Sequence, residues 1–358
     1  MVGSGQECGT RPERGGGTGS RQESPAVLAE RWRAAPGEPT VRELGEIAAI
    51  QSFASVLPVS AERLLGPGDD AAVIAAPDAR VVATSDSLIE GPDFRLELST
   101  PYDLGWKLAA VNLADVAAMG ARPTALIVSL GVPPELPVRA LTELAEGLRD
   151  ACLRFAPGCG VEGGDLATSP VITAVAAALG SLDGRAPVRR SGARPGDIVA
   201  VAGELGPAAD GLRRLFAGER PAERPGERPD EQATESLADR SMRLQLRPEP
   251  PVAAGVLAAV AGATSMIDVS DGLALDAARV ASASGVTFDL DPAVTDVLGA
   301  GEDHALLATF PAATELPTAF VHIGWVHPRG AEPLLLDGKP IAAAPGWDPF
   351  RDAGGALA

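Results

Sequence analysis

The chain has 358 residues, 46% of them hydrophobic, and a formal net charge of -18. Length and apolar content suit two packed domains rather than a disordered chain. The acidity excludes a nucleic-acid binder with a basic face, and no apolar run is long enough to span a membrane.

Three scattered cysteines, Cys8, Cys152 and Cys159, form no disulfide framework and no C-x-x-C zinc spacing. With no apolar signal core at the N-terminus, a reduced, cytoplasmic location is expected. Lys107 and Lys339 are the only lysines. No P-loop, no G-x-G-x-x-G after a strand and no H-R-D loop occurs.

Residues 1 to 38, rich in Gly, Arg, Glu, Ser and Pro, read as a disordered tail with a short helix over 26–33. Thr40 to Glu43 is a capping box, and Leu44, Ile47, Ala48 and Phe53 follow with helical spacing. Gly66-Pro67-Gly68-Asp69-Asp70 then makes a turn into a strand over 71–75. A strand over 81–84 ends in Ser85-Asp86-Ser87. Thr100-Pro101 starts a helix that Gly120 ends. On it Asp115 shares a face with Leu104, Leu108 and Val111, so that carboxylate needs a partner or a metal.

A strand over 125–130 and a helix over 137–155 come next, the helix carrying Cys152 on its apolar stripe. Gly163-Gly164-Asp165 reads as a strand end where glycines would admit a phosphate. A strand over 171–179 leads to a boundary at 180–184, so the expected domains are 39–183 and 184–350, with a short tail at 351–358. The second half opens with a strand over 197–202 and a helix over 207–216. Three Glu-Arg-Pro repeats mark 217–236 as a low-complexity loop. A helix over 251–261 precedes a short strand at 266–267. That strand runs into Asp268-Val269-Ser270-Asp271-Gly272, which opens a helix to 283. Late strands are expected over 319–326 and 334–336.

The acids at 69/70, 86, 115, 165, 268 and 271 lie among small or apolar residues, without lysine partners. Such carboxylates point to several hard divalent cations, Mg2+ above all. Multiple metals suit the transfer of a phosphoryl group from ATP to an acceptor that is itself a phosphate. That acceptor is largely a dianion at neutral pH, since its second pKa is about 6. Such a reaction needs charge neutralisation and in-line positioning more than a general base.

In company, these motifs resemble the thiamine-monophosphate kinase family, within the superfamily of aminoimidazole ribonucleotide and selenophosphate synthetases. The matching segments include Gly68-Asp69-Asp70-Ala71-Ala72, Ser85-Asp86-Ser87-Leu88-Ile89-Glu90-Gly91, Asn112 to Ala121, Gly163-Gly164-Asp165, Arg190 to Asp197, Ile267 to Leu273, Gly301-Glu302-Asp303 and Gly346-Trp347-Asp348. They occur in family order from about residue 41 to 350. The resemblance implies an α/β fold of mixed sheets in two synthetase-like domains, the N-terminal one pairing with its twin in a homodimer. It implies Mg2+ ligands at Asp70, Thr84, Ser85, Asp86, Asp115, Asp165, Asp268 and Asp271. It implies ATP contacts at Gly164, Arg190 and Ser270, and thiamine-monophosphate contacts at Asp93, Glu302 and Trp347. At Asp93 the family has a histidine. Leu166-Ala167 replaces a threonine pair, and His304-Ala305 stands where the family has Tyr-Glu.

Overall fold

A computed structural model describes residues 25–66, 71–221, 235–341 and 346–347. The tail up to 24, Asp69 and Asp70, most of the Glu-Arg-Pro repeats and the stretch from 348 onward lie outside the described residues. The first elements are helices α1 (Pro25–Glu30), α2 (Val41–Leu44) and α3 (Glu46–Ala54), then a ribbon of β1 (Arg63–Leu65) and β2 (Val73–Ile74). The short helix anticipated over 26–33 forms as α1, but residues 25–38 are not tail. Leu28 and Trp32 are buried, and Trp32 Nε1 donates to the Ser99 carbonyl at 2.9 Å. The single helix expected after Thr40 is two. Gly45, at a φ of +75°, ends α2 and begins α3, a conformation that a side chain would oppose. Both arms of the Thr40–Glu43 capping box are made.

Next come β3 (Val82–Ile89), α4 (Pro101–Ala118), β4 (Arg122–Val132), α5 (Val138–Phe155), β5 (Gly160–Thr168) and β6 (Thr173–Ser181). The strands form one sheet in the order β3-β6-β4-β5, with β4 and β5 parallel and the other pairs antiparallel. Two acids expected at strand ends are inside strands. β3 continues past Thr84 to Ile89, so Asp86 is mid-strand. Gly163-Gly164-Asp165 lies within β5. A Cβ on Gly164 would sit 1.7 Å from the Val128 carbonyl oxygen, so the pairing of β5 with β4 alone requires glycine there.

The rest of the chain is β7 (Asp197–Ala202), α6 (Pro207–Phe216), α7 (Leu237–Leu246), α8 (Val252–Val260), β8 (Ser265–Val269), α9 (Leu273–Ser284), β9 (Val286–Leu290), β10 (Ala305–Pro311), β11 (Phe320–Pro328), β12 (Leu334–Leu336) and β13 (Lys339–Pro340). These strands form a seven-stranded mixed sheet in the order β13-β12-β9-β11-β7-β10-β8. Helix α7 and strands β9 and β10 are additions to the sequence-based expectation. The fold class agrees with it: an α/β protein with mixed sheets.

Helix α4 is the spine of the molecule. Its Thr100–Asp103 capping box is complete, with Pro101 at the first turn. Leu104, Leu108, Leu113, Val116 and Ala117 are buried around its whole circumference, as befits a helix enclosed on all sides. One apolar cluster joins it to Ala178 of the four-stranded sheet and to Ala258 and Phe310 of the C-terminal half. Among the described residues no helix is long and apolar enough to cross a membrane.

Candidate active site

A cleft of about 650 Å³ opens along α4, between β3, the turn after β8 and helices α6 and α7. Asp103, Lys107, Val111 and Asp115 succeed one another at four-residue steps and all line it, so one stripe of α4 forms its floor. On β3 the period-two alternation turns Thr84, Asp86 and Leu88 inward and Ser85, Ser87 and Ile89 outward. Thr84 Oγ1 donates to Asp115 Oδ2 at 2.6 Å. The Asp86 backbone N–H donates to Asn112 Oδ1, whose amide in turn bonds the Leu108 carbonyl.

Asp268 at the end of β8 faces these acids from the C-terminal half. Burial pushes the Asp115 carboxyl up to about 6, the Asp268 charge adds to the effect, and the Thr84 bond opposes it. Burial also raises Asp86, reinforced by Asp268 and Asp271 and opposed by His304. These carboxylates therefore repel one another across the cleft, and among the described residues no arginine or lysine is bonded to Asp86 or Asp115. His304 Nδ1 lies 3.2 Å from Asp268 Oδ2. Burial lowers the imidazole pKa, but that bond and the Asp268 and Glu302 charges outweigh it, so the net direction is upward. Asp271 has an arginine rather than a lysine as its basic partner: Arg279 bridges Asp271 at 2.5 Å and Asp276 at 2.7 Å. Among the described residues no three His, Cys, Asp or Glu side chains stand close enough to hold a metal ion. The acids share a cleft without closing into a cage.

The second end of the cleft is built by the loop 301–304. Glu302 and His304 both have positive φ, +68° and +52°, an uncommon conformation for such residues. Asp303 between them accepts N–H bonds from Gly206 at 2.7 Å and Ala208 at 2.8 Å, tying the loop to the N-terminus of α6. Glu302 N–H donates to Ser270 O and His304 N–H to Val269 O, which clamps the loop to the turn bearing Asp268 and Asp271. Trp347 lines the same cleft, and its N–H donates to Asp271 O.

Lys107 Nζ bonds Glu302 Oε2 at 2.5 Å. Burial raises the Glu302 carboxyl, but the Lys107 and His304 charges, with hydrogen bonds from Lys107 and Gln245, hold it below its usual range. Asp93 stands nearby, raised by burial and accepting the Ile89 N–H at 2.8 Å. Beyond these groups Leu98, Leu212, Leu215, Phe216 and Leu246 give an apolar lobe, with Arg95 5.0 Å over the Phe216 ring.

The cleft thus gathers Asp86, Asp115, Asp268, Asp271, Arg190, Ser270, Asp93, Glu302 and Trp347. Thr84 joins through Asp115. Ser85, Gly164 and Asp165 are not among its walls. They are exposed on the four-stranded sheet, and Ser85 Oγ donates to the Ala176 carbonyl. Asp70 lies outside the described residues. Sequence reasoning passed over Lys107, Gln245 and the placement of His304. For Lys107 a signal existed: it falls on the α4 stripe that singled out Asp115, in a chain with only one other lysine.

Comparison with known proteins places this geometry. The family described as AIR synthase related protein, N-terminal domain, matches residues 68–182. A thiamine-monophosphate kinase of Mycobacterium tuberculosis H37Rv is 40% identical over 334 residues, covering 88% of this chain and 94% of the relative. A solved thiamine-monophosphate kinase from Stenotrophomonas maltophilia K279a superposes with a TM-score of 0.65 at 30% identity, over 78% of this chain and 93% of its own. Another, AaThiL complexed with AMPPCP and TMP, gives 0.64 at 29% identity, over 87% and 99%. The chain belongs to the thiamine-monophosphate kinase family.

Proposed function

We propose that the protein phosphorylates thiamine monophosphate to thiamine diphosphate with ATP. The observation that carries this reading is one cleft with a cluster of mutually repelling carboxylates, Asp86, Asp115 and Asp268, at one end and Glu302, Asp93 and Trp347 at the other. A relative of the same fold binds the ATP analogue AMPPCP together with TMP.

The donor set fits Mg2+: it is all oxygen, and Asp115 and Asp86 are raised by burial and further by neighbouring carboxylates, a repulsion that a cation would relieve. Asp86, Asp115 and Asp268 would hold the ions from the two sides of the cleft, with Thr84 and Asp271 beside them. Asp70, Ser85 and Asp165 complete the proposed set on resemblance. Mg2+, when bound, supplies neutralisation of the phosphate oxygens. For Asp271 to join, its Arg279 pair must loosen. Arg190 and Ser270 line the cleft where a nucleotide's phosphates would lie, and Gly164 is assigned to ATP by resemblance only.

A terminal phosphate oxygen of thiamine monophosphate attacks the γ-phosphorus of ATP, a P–O–P linkage forms, and ADP leaves with the β–γ bridging oxygen. The nucleophile is already an anion, so no residue is assigned as a general base. The outward face of the four-stranded sheet, with Ser85, Ser87 and Ile89 exposed, is the surface through which we propose two copies pair. A mass-resolved assay with MgATP and thiamine monophosphate tests the reading. ATP turnover no faster with the acceptor than without it rejects the proposal.

A further inference from the structure

Among the described residues, two residues that line the cleft carry a buried polar atom without a hydrogen-bond partner: Oε1 of Gln245 and Nε2 of His304. The residues bearing them are 7% and 5% exposed. A buried acceptor left unpaired costs roughly 1–3 kcal/mol, so a ligand group that satisfies it is favoured.

The orientation of Gln245 is forced by chemistry. Its side chain lies close enough to Glu302 to help lower that carboxyl, and an ionised carboxylate can only accept. The amide NH2 must therefore face Glu302, and the carbonyl oxygen is the atom left over. The opposite flip would set two acceptors against each other. The residue is also held firmly. Directly after α7, Arg247 pairs with Asp103 and the Pro248 carbonyl accepts from Trp106 Nε1 at 2.9 Å, which pins the end of the helix to α4. The same part of the cleft holds the carboxylates of Glu302 and Asp93, with Lys107 bonded to Glu302 and the apolar lobe beyond. An acceptor-rich pocket of this kind repels a phosphate. It accepts a flat, mostly apolar ring that carries an N–H donor.

We propose that Gln245 determines specificity for the aminopyrimidine of the substrate, its free Oε1 accepting a hydrogen bond from the ring's exocyclic amine. The inference rests on thiamine monophosphate being the acceptor, and it adds a residue to which neither the motifs nor the resemblance gave a role. The amine fills the apolar lobe with its ring, and the phosphate lies toward Asp115. Asp93 and Glu302 outnumber Lys107 by one charge, which leaves the pocket able to balance the cationic thiazolium.

The test is steady-state kinetics on the full chain with thiamine monophosphate and with its 4′-oxo analogue, in which a carbonyl replaces the amine. Wild-type protein should prefer the amine substrate by about 10- to 100-fold in kcat/KM, the range for one buried polar group left unpaired. In Q245M, of similar volume, that preference should collapse towards unity through a higher KM for thiamine monophosphate, with the KM for ATP unchanged. Q245N, which keeps the amide but shortens it, should retain an intermediate preference and guards against a Q245M that fails to fold. A preference undiminished in either variant, or an equal loss on both substrates, overturns the assignment. Absence of wild-type turnover with thiamine monophosphate would instead reject the functional reading on which it rests.

Discussion

The two ends of the cleft handle charge in opposite ways. At one end Asp86 and Asp115 face Asp268 across the cleft, and burial together with their mutual repulsion raises their carboxyls. At the other end one carboxylate is paired: Lys107 is bonded to Glu302, and Gln245 reinforces that carboxylate, while Asp93 stands beside them. Paired charges of this kind fix geometry, because each partner holds the other in place. Half-buried carboxylates that repel one another, as Asp86 and Asp115 do, instead carry an electrostatic cost that a cation or a proton relieves. On the proposed function, the contrast would put phosphoryl transfer at the first end and recognition at the second.

The sharpest way to break this division is Asp115→Asn. It keeps the Thr84 contact geometry but removes the charge. We expect kcat to fall about 10³-fold, the scale seen when a transition-state charge partner is lost, with the KM for thiamine monophosphate little altered. A loss confined to KM would assign Asp115 to recognition. Lys107→Met should do the reverse. Freed from its cation, Glu302 turns away or takes up a proton, and the KM for thiamine monophosphate should rise about tenfold with kcat nearly unchanged. If kcat falls as far as in Asp115→Asn, the division between the two ends fails. Smallest in kinetics is Asp303→Ala, which deletes both bonds to the N-terminus of α6. Denaturant unfolding should show a loss of about 1–3 kcal/mol, with a KM increase of only a few-fold. An unchanged unfolding midpoint would mean the loop is held by its contacts to Ser270 and Val269 alone.

Much of the acidic end was legible in the sequence. The 3.6-residue period put Asp115 on the lined face of α4, and the Asp-x-Ser-Asp-Gly pattern located the turn after β8. Asp86 was found, but its place within β3 was misjudged, because Ser85-Asp86-Ser87 has weak strand propensity and only pairing with β6 extends the strand through it. Asp93, Glu302 and Trp347 came from the resemblance, but Gln245 was harder to see, for a physical reason. Gln245 sits on a ten-residue helix that follows a low-complexity stretch, and nothing local marks a glutamine as buried. Its environment is assembled from α4, the 301–304 loop and α7, segments far apart in sequence. Trp32 was overlooked for a similar reason: its partner, the Ser99 carbonyl, is 67 residues away.

Because Lys107 and Asp115 project from one straight helix, their separation along its axis is set by eight residues, about 12 Å at 1.5 Å each. Helix α4 is enclosed on every side and cannot shorten or stretch. It therefore acts as a ruler. A molecule anchored by its ring at the lysine end presents its phosphate at one fixed mark. An acceptor with one more or one fewer methylene between ring and phosphate would overshoot or fall short of it. If thiamine monophosphate binds in the proposed orientation, selection by length would follow from the backbone, independently of any contact that reads the linker itself.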